Sequence, residues 1–174
     1  MNYLILFSTF IICIQDSLMY SNITTISSMS PTLHIVVIIY TTITSLYYYL
    51  NINHIFKKLN IYNDKFKISF IITTLLMIFG SLFYYKEGIN CLSNYLHLIP
   101  SMLSTIALYI YLLYVIYYLY KYDLNKYNKL INKFKYLSTM LIIFIVVFTR
   151  INSYIELFYI FIINYEIDQL KNIN

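Results

Sequence analysis

The sequence lacks much of what a soluble globular domain is built from. Its 174 residues include two glycines, two prolines, no tryptophan and a single alanine, Ala107. Charged residues make up 11% of the chain and hydrophobic residues 60%, against about 25% and about 45–50% in soluble domains. A soluble domain of this length could not bury so much apolar surface. We therefore exclude that class and predict a protein whose solvent is lipid.

The sequence also lacks the motifs of common catalytic sites. Cys13 and Cys91 are too few for a disulfide framework. The sequence contains no P-loop, HExxH, CxxC or nucleophile elbow. We therefore expect a protein that is not catalytic by itself and that binds no cofactor.

The abundant residue types are those with A/T-rich codons. Tyrosine occurs 22 times and phenylalanine 12 times, and Arg150 is the one arginine among 12 basic residues. This bias is typical of an AT-rich genome, such as those of many organelles, some parasites and some large viruses. The lysines lie between apolar runs and form no continuous patch, so the net charge of +5 does not predict a nucleic-acid partner.

Apolar runs of membrane-spanning length dominate the chain. A transmembrane helix needs about 20 mostly apolar residues. Four runs approach or exceed that length, at residues 34–52, 68–85, 98–120 and 137–165. A shorter run at residues 3–14 is either a first span or a cleaved signal peptide. The sequence therefore predicts a single all-α domain, residues 1–174: a polytopic transmembrane helix bundle of about five spans, four if the N-terminal run is cleaved.

The charges of the loops alternate along the chain. Residues 51–67 carry four lysines and one aspartate, and residues 121–135 carry five lysines and one aspartate. The loop after the first run and the tail after Tyr165 are each slightly acidic. Because basic loops stay on the cytoplasmic or matrix side of a membrane, we place both basic loops there and the C-terminus on the opposite side.

The second basic loop, at about 121–135, has the spacing of an amphipathic helix. Its apolar residues recur three and four positions apart, at Leu124, Tyr127, Ile131 and Phe134. We predict a helix at the membrane interface whose lysines contact anionic lipid or a partner subunit. A solvated connecting helix is the alternative. The lysines concerned are Lys121, Lys126, Lys129, Lys133 and Lys135.

Two charged residues interrupt the last apolar run. An arginine at the bilayer centre costs about 2.5–3.5 kcal/mol, so Arg150 either has a role that needs its guanidinium or snorkels to the interface. Glu156 follows six residues later and points to a different face of a helix. Each residue then needs a partner from another helix or chain. We predict that Arg150 and Glu156 line a proton path or hold subunits together.

The three histidines are His34, His54 and His97. His34 and His97 both fall near the predicted outer boundary of the membrane, where a shared haem or metal is geometrically allowed. The sequence has no HxxxH pair and no carboxylate at ligand spacing beside them. We therefore predict no metal site.

The plan of five spans in about this length, with an organelle-like composition, resembles chain 6 of mitochondrial NADH dehydrogenase. That family has an aromatic residue followed by glycine and a small residue in its third span. Phe79, Gly80 and Ser81 are the nearest match here, without the family's surrounding glycines.

The resemblance implies an integral membrane subunit, structural or accessory, of a multi-subunit respiratory-type complex in the mitochondrial inner membrane. If Arg150 and Glu156 face the interior, the subunit also lines part of a proton path. Its partners would be the lipid bilayer and other membrane subunits, and any catalysis would belong to the complex. The alternative is a stand-alone small channel or transporter of a parasite or virus.

Overall fold

The computed structural model describes residues 31–85, 91–122, 124–148 and 153–173, and these residues form five α-helices and no strand. In chain order the helices are α1 (Pro31–Lys58), α2 (Asp64–Ser81), α3 (Leu92–Tyr122), α4 (Leu124–Phe148) and α5 (Ser153–Lys171). The predicted all-α class is confirmed for this part of the chain. The N-terminal run at residues 3–14 and Arg150 lie outside the described residues.

Two of the described helices are long and apolar enough to cross a membrane. They are His34–Lys58, which forms most of α1, and Leu92–Tyr122, which is α3. They contain the runs predicted at residues 34–52 and 98–120. By their length and composition these helices suggest a membrane protein.

α2 is too short to confirm a further span. Its 18 residues begin with Asp64, Lys65, Phe66 and Lys67, so 14 residues remain from Ile68 to Ser81. At 1.5 Å per residue these cover about 21 Å, less than the roughly 30 Å of a hydrocarbon core. The expected bundle of about five spans is therefore not confirmed.

The run predicted as one span at residues 137–165 is divided between two helices. α4 ends at Phe148 and α5 begins at Ser153, and the four residues between them lie outside the described part of the chain. α5 carries four charged residues among its 19. Only nine uncharged residues separate Glu156 from Glu166, which is too few for a span.

The chain divides into two compact units: a first unit of residues 27–111, and a second unit of residues 1–26 and 112–174. In the first unit α1 packs against α2. Near the turn between the two helices the contact is aromatic, and the Phe56 and Phe70 ring centroids lie 4.9 Å apart, edge to face. The Tyr111 ring meets Phe70 at 4.5 Å in the same manner. Such pairs add to the stabilisation from apolar burial.

Local hydrogen bonds fix the turn between α1 and α2. Asn60 has a φ of 55°, the left-handed conformation that ends many helices and that asparagine tolerates. The Ile61 N–H donates to the Phe56 carbonyl at 3.0 Å, which closes the helix end. Asn63 then caps α2 by accepting a hydrogen bond from the Phe66 N–H at 3.0 Å. The chain therefore reverses within a few residues and places α2 against α1.

In the second unit α4 packs against α5. Ile131, Phe134 and Leu141 on α4 are buried, and Leu141 clusters with the buried Ile162 of α5. The lysines between the apolar positions are exposed: Lys126, Lys129, Lys133 and Lys135. Residues 124–135 thus form the first half of α4, with one apolar and one basic face. The location of this segment at a membrane interface stays a prediction.

Candidate functional site

The structure does not bring the two predicted site residues together. Arg150 lies outside the described residues. Glu156 lies in the first turn of α5, and its side chain also lies outside the described part. The predicted role of Arg150 and Glu156 in a proton path or a subunit contact stays a prediction.

Two of the histidines, by contrast, meet at the C-terminal end of α2. His34 Nε2 donates to the Ser81 carbonyl at 3.0 Å. His97 Nδ1 donates to the carbonyls of Gly80 at 2.8 Å and Phe83 at 3.1 Å. The last carbonyls of a helix lack the N–H partners of a helix interior. Both rings therefore act as caps of α2, a role that sequence spacing did not indicate.

The end of α2 also requires a glycine. A Cβ atom at Gly80 would collide with the Ser101 hydroxyl and would lie 3.1 Å from the His97 carbonyl oxygen and 3.2 Å from the Ser101 nitrogen. α3 therefore approaches the α2 backbone too closely for any side chain at this position. In the Phe79–Gly80–Ser81 sequence, the structure gives the glycine a packing role.

A small, half-open pocket lies in the first unit, and hydroxyl groups line part of it. These hydroxyls form a chain. The Thr73 hydroxyl donates its proton to the Ser69 carbonyl at 2.9 Å. It therefore accepts a hydrogen bond from the Tyr111 hydroxyl, also at 2.9 Å. The Tyr111 oxygen in turn accepts from the Ser69 hydroxyl. Because the hydroxyls satisfy one another, the cavity resembles a packing gap between helices more than a ligand pocket.

Glu166 is the one acidic or basic side chain that is buried among the described residues, at 0% exposure. On α5 it lies one turn after Ile162 and Ile163 and one turn before Leu170, and all three are equally enclosed. Within the described structure neither carboxyl oxygen has a hydrogen-bond partner. A buried carboxylate without a partner is costly, so this site favours the neutral acid.

The positive charge of Lys133 on α4 affects the pKa of this carboxyl. Burial raises the pKa of Glu166 from its usual 4.5 to about 7, and the smaller, opposite effect of the Lys133 charge lowers it. The Lys133 ammonium donates a hydrogen bond to the Tyr165 hydroxyl at 2.9 Å. It also lies 5.7 Å from the centroid of the Tyr165 ring. The cation is therefore held by the residue next to Glu166 and not by the carboxyl itself.

Sequence reasoning missed Glu166 because it assigned this residue to an acidic tail after Tyr165. A usable signal was the helical spacing of the apolar residues around it. Ile162, Ile163, Ile167 and Leu170 recur on one face of a 3.6-residue helix. Position 166 falls within that face. A carboxyl inside an apolar face is a candidate functional group.

Within the described residues, no group of three or more His, Cys, Asp or Glu side chains is placed to hold a metal ion. His54, the third histidine, is exposed near the end of α1. Comparison with known proteins found no protein family, no curated protein and no solved structure that matches the chain. The resemblance to chain 6 of NADH dehydrogenase therefore stays an expectation from the sequence.

Proposed function

We propose that the protein is an integral membrane subunit, structural or accessory, of a multi-subunit respiratory-type complex. The supporting observation is an apolar stripe along α1 that the chain itself does not cover. Its members lie three or four positions apart and are between 47% and 66% exposed. They are Ile35, Ile39, Ile43, Leu46 and Leu50. An apolar stripe of this length needs lipid or another helix against it.

α3 carries a similar surface. Large apolar side chains on successive turns are about half exposed: Ile99, Met102, Leu103, Ile106 and Ile110. α1 and α3 are also the two helices with the length and composition of membrane spans. Bulky aliphatic faces of this kind suit contact with lipid acyl chains.

The basic face of α4 supports a location beside an anionic membrane surface. Its exposed lysines would meet anionic headgroups, which attract basic segments by about 1 kcal/mol per residue near the surface. In the proposed arrangement residues 51–67 and 121–135 lie on the matrix side of the mitochondrial inner membrane. Arg150 and Glu156 then belong to a proton path or to contacts with other subunits.

A stand-alone small channel or transporter is the second candidate function. The hydroxyl chain of Ser69, Tyr111 and Thr73 favours it, because it places connected polar groups between the helices of the first unit. Polar groups within a membrane protein often mark the route of an ion or proton.

Gel electrophoresis of membranes solubilised in mild detergent distinguishes these functions. We expect the protein to migrate with a large respiratory complex and to remain in the membrane when peripheral proteins are washed off with alkaline carbonate. Migration as a small, discrete oligomer would contradict the subunit proposal and favour the channel. Release by carbonate would contradict both.

Labelling with a membrane-impermeant maleimide tests the orientation. In a variant whose native cysteines are serines, Lys129→Cys probes the basic face of α4, and Asn172→Cys probes the C-terminal end. Both positions are exposed. The hydrogen bond between Lys133 and Tyr165 places both positions at the same end of the α4–α5 pair, and not on opposite sides as the loop charges predict. In sealed mitochondria without their outer membrane we therefore expect both variants to be protected. Labelling of Lys129→Cys would contradict the proposed matrix side, and labelling of Asn172→Cys alone would contradict the shared end.

A further inference from the structure

We propose that Glu166 is a proton-binding site, and that loss of its proton moves the Lys133 ammonium from the Tyr165 hydroxyl to the Glu166 carboxylate. This proposal concerns the second unit alone. It does not depend on membership in a respiratory complex.

The Glu166 carboxyl lies in an apolar environment. Glu166 is fully enclosed, and neither of its oxygens is hydrogen-bonded within the described residues. The arrangement is therefore that of an acid which holds its own proton in an apolar environment.

The Lys133 ammonium is the cation that acts on this carboxyl. Lys133 lies on the exposed basic face of α4, yet its charge lowers the pKa of Glu166. Its hydrogen-bond acceptor is Tyr165, the residue directly before Glu166 on α5. Two acceptors for one ammonium thus lie next to each other in the chain. Whether Lys133 bonds Tyr165 or Glu166 depends on the charge of the carboxyl, because a carboxylate accepts a hydrogen bond from an ammonium more strongly than a neutral hydroxyl does.

The proton balance is simple. Neutral Glu166 releases its proton to water and becomes a carboxylate. Lys133 keeps its own three protons, breaks its hydrogen bond to the Tyr165 oxygen and donates to a Glu166 oxygen instead. No other bond changes, and the second unit gains one negative charge that the ammonium compensates. Proton uptake reverses each of these steps.

Other charged groups lie on the elements that pack around Glu166. α4 also carries Lys126, Lys129 and Lys135, and the end of α5 carries Asp168 and Lys171. Of the charges on the described residues, that of Lys133 is the one that acts on the carboxyl. The enclosed neighbours of Glu166 one turn away on α5, Ile162, Ile163 and Leu170, are apolar, and Gln169 is polar. Among the charged groups, the carboxylate depends on Lys133 after proton release.

Carboxyl-carbon NMR of the full chain in lipid nanodiscs tests the proposal. The chain contains three glutamates, Glu87, Glu156 and Glu166, so selective ¹³C labelling gives three side-chain carboxyl signals. We expect one signal to titrate with a midpoint at about pH 7 and to be missing in Glu166→Gln. If every signal in the wild-type protein titrates near the ordinary glutamate value of about 4.3, the site is refuted. This holds even if the variant does not fold.

Two further variants test the exchange of partners, and they should move the midpoint in opposite directions. Lys133→Met removes the compensating charge, so the Glu166 midpoint should rise by about one pH unit. Tyr165→Phe removes the competing acceptor and leaves Lys133 free for the carboxylate, so the midpoint should fall.

Matched controls are Lys135→Met and Tyr136→Phe, which alter exposed side chains of α4 and should leave the midpoint unchanged. A midpoint that Lys133→Met does not move, or that moves in the same direction in both test variants, would overturn the exchange. Because the titration is measured on the isolated protein, its result is independent of the native-gel test of the subunit role.

Discussion

Replacing Glu166 by glutamine should remove a pH dependence from the stability of the second unit. The carboxyl of the folded protein has a pKa of about 7, against 4.5 for an ordinary glutamate. Between these two values the folded chain holds a proton that the unfolded chain has released. Stability from this group is therefore complete below about pH 4.5 and is lost as the pH rises to about 7.

The magnitude follows from the interval between the two pKa values. At 1.36 kcal/mol per pH unit, the interval corresponds to about 3 kcal/mol, an upper value because an ion pair with Lys133 would recover part of it. Glutamine is close in shape to the neutral acid and does not titrate. The variant and the wild-type protein should thus be of similar stability at about pH 4.5, and the variant should be more stable above about pH 7.

The assay is unfolding in mixed micelles of increasing SDS content, followed by circular dichroism at several pH values. All other titrating groups are common to both proteins, so the difference between their unfolding free energies isolates Glu166. A constant difference between pH 4.5 and pH 8 would refute the reasoning. A difference that grows as the pH falls would refute it as well, because the sign would be opposite.

The remaining predictions concern single side chains and are measured by the same unfolding assay unless stated. Gly80→Ala should destabilise the first unit by about 1–3 kcal/mol, since the added Cβ meets α3 backbone atoms; an unchanged midpoint would contradict the close approach. His97→Ala should cost about 1–3 kcal/mol through the lost cap of α2, whereas the exposed His54→Ala should change stability by less than about 0.5 kcal/mol. Tyr111→Phe should cost about 1 kcal/mol by breaking the hydroxyl chain, and equal stability would show that the chain contributes nothing. Arg150→Lys should abolish coupled activity of the complex if the guanidinium has a role, and a silent substitution would favour a snorkelling side chain.

The amino-acid sequence by itself determined the class of the fold and the course of its two most apolar helices. Unbroken apolar runs at residues 34–52 and 98–120 predict helices there, and α1 and α3 contain them. The spacing of Ile131 and Phe134 also predicted which face of α4 is buried. These features are local, because each depends on residue type and on helical period alone.

The sequence predicted the ends of the helices less well. The run at residues 137–165 is nearly uniform in hydropathy, and hydropathy alone does not show that α4 ends at Phe148. In the same way, the predicted run to residue 85 extends beyond Ser81, the last residue of α2. Helix ends depend on partners for the last carbonyls, and those of α2 come from His34 and His97, far away in sequence.

Only the tertiary structure decided what surrounds Glu166. In the sequence it is one of three charged residues in a tail, and its charge was counted as solvated. In the fold the carboxyl is enclosed, and Lys133 lies beside Tyr165. The pKa of a carboxyl depends on its solvent and on nearby charges. The nearby charge belongs to a helix more than thirty residues away in sequence, so the chemistry of this site belongs to the fold and not to the local sequence.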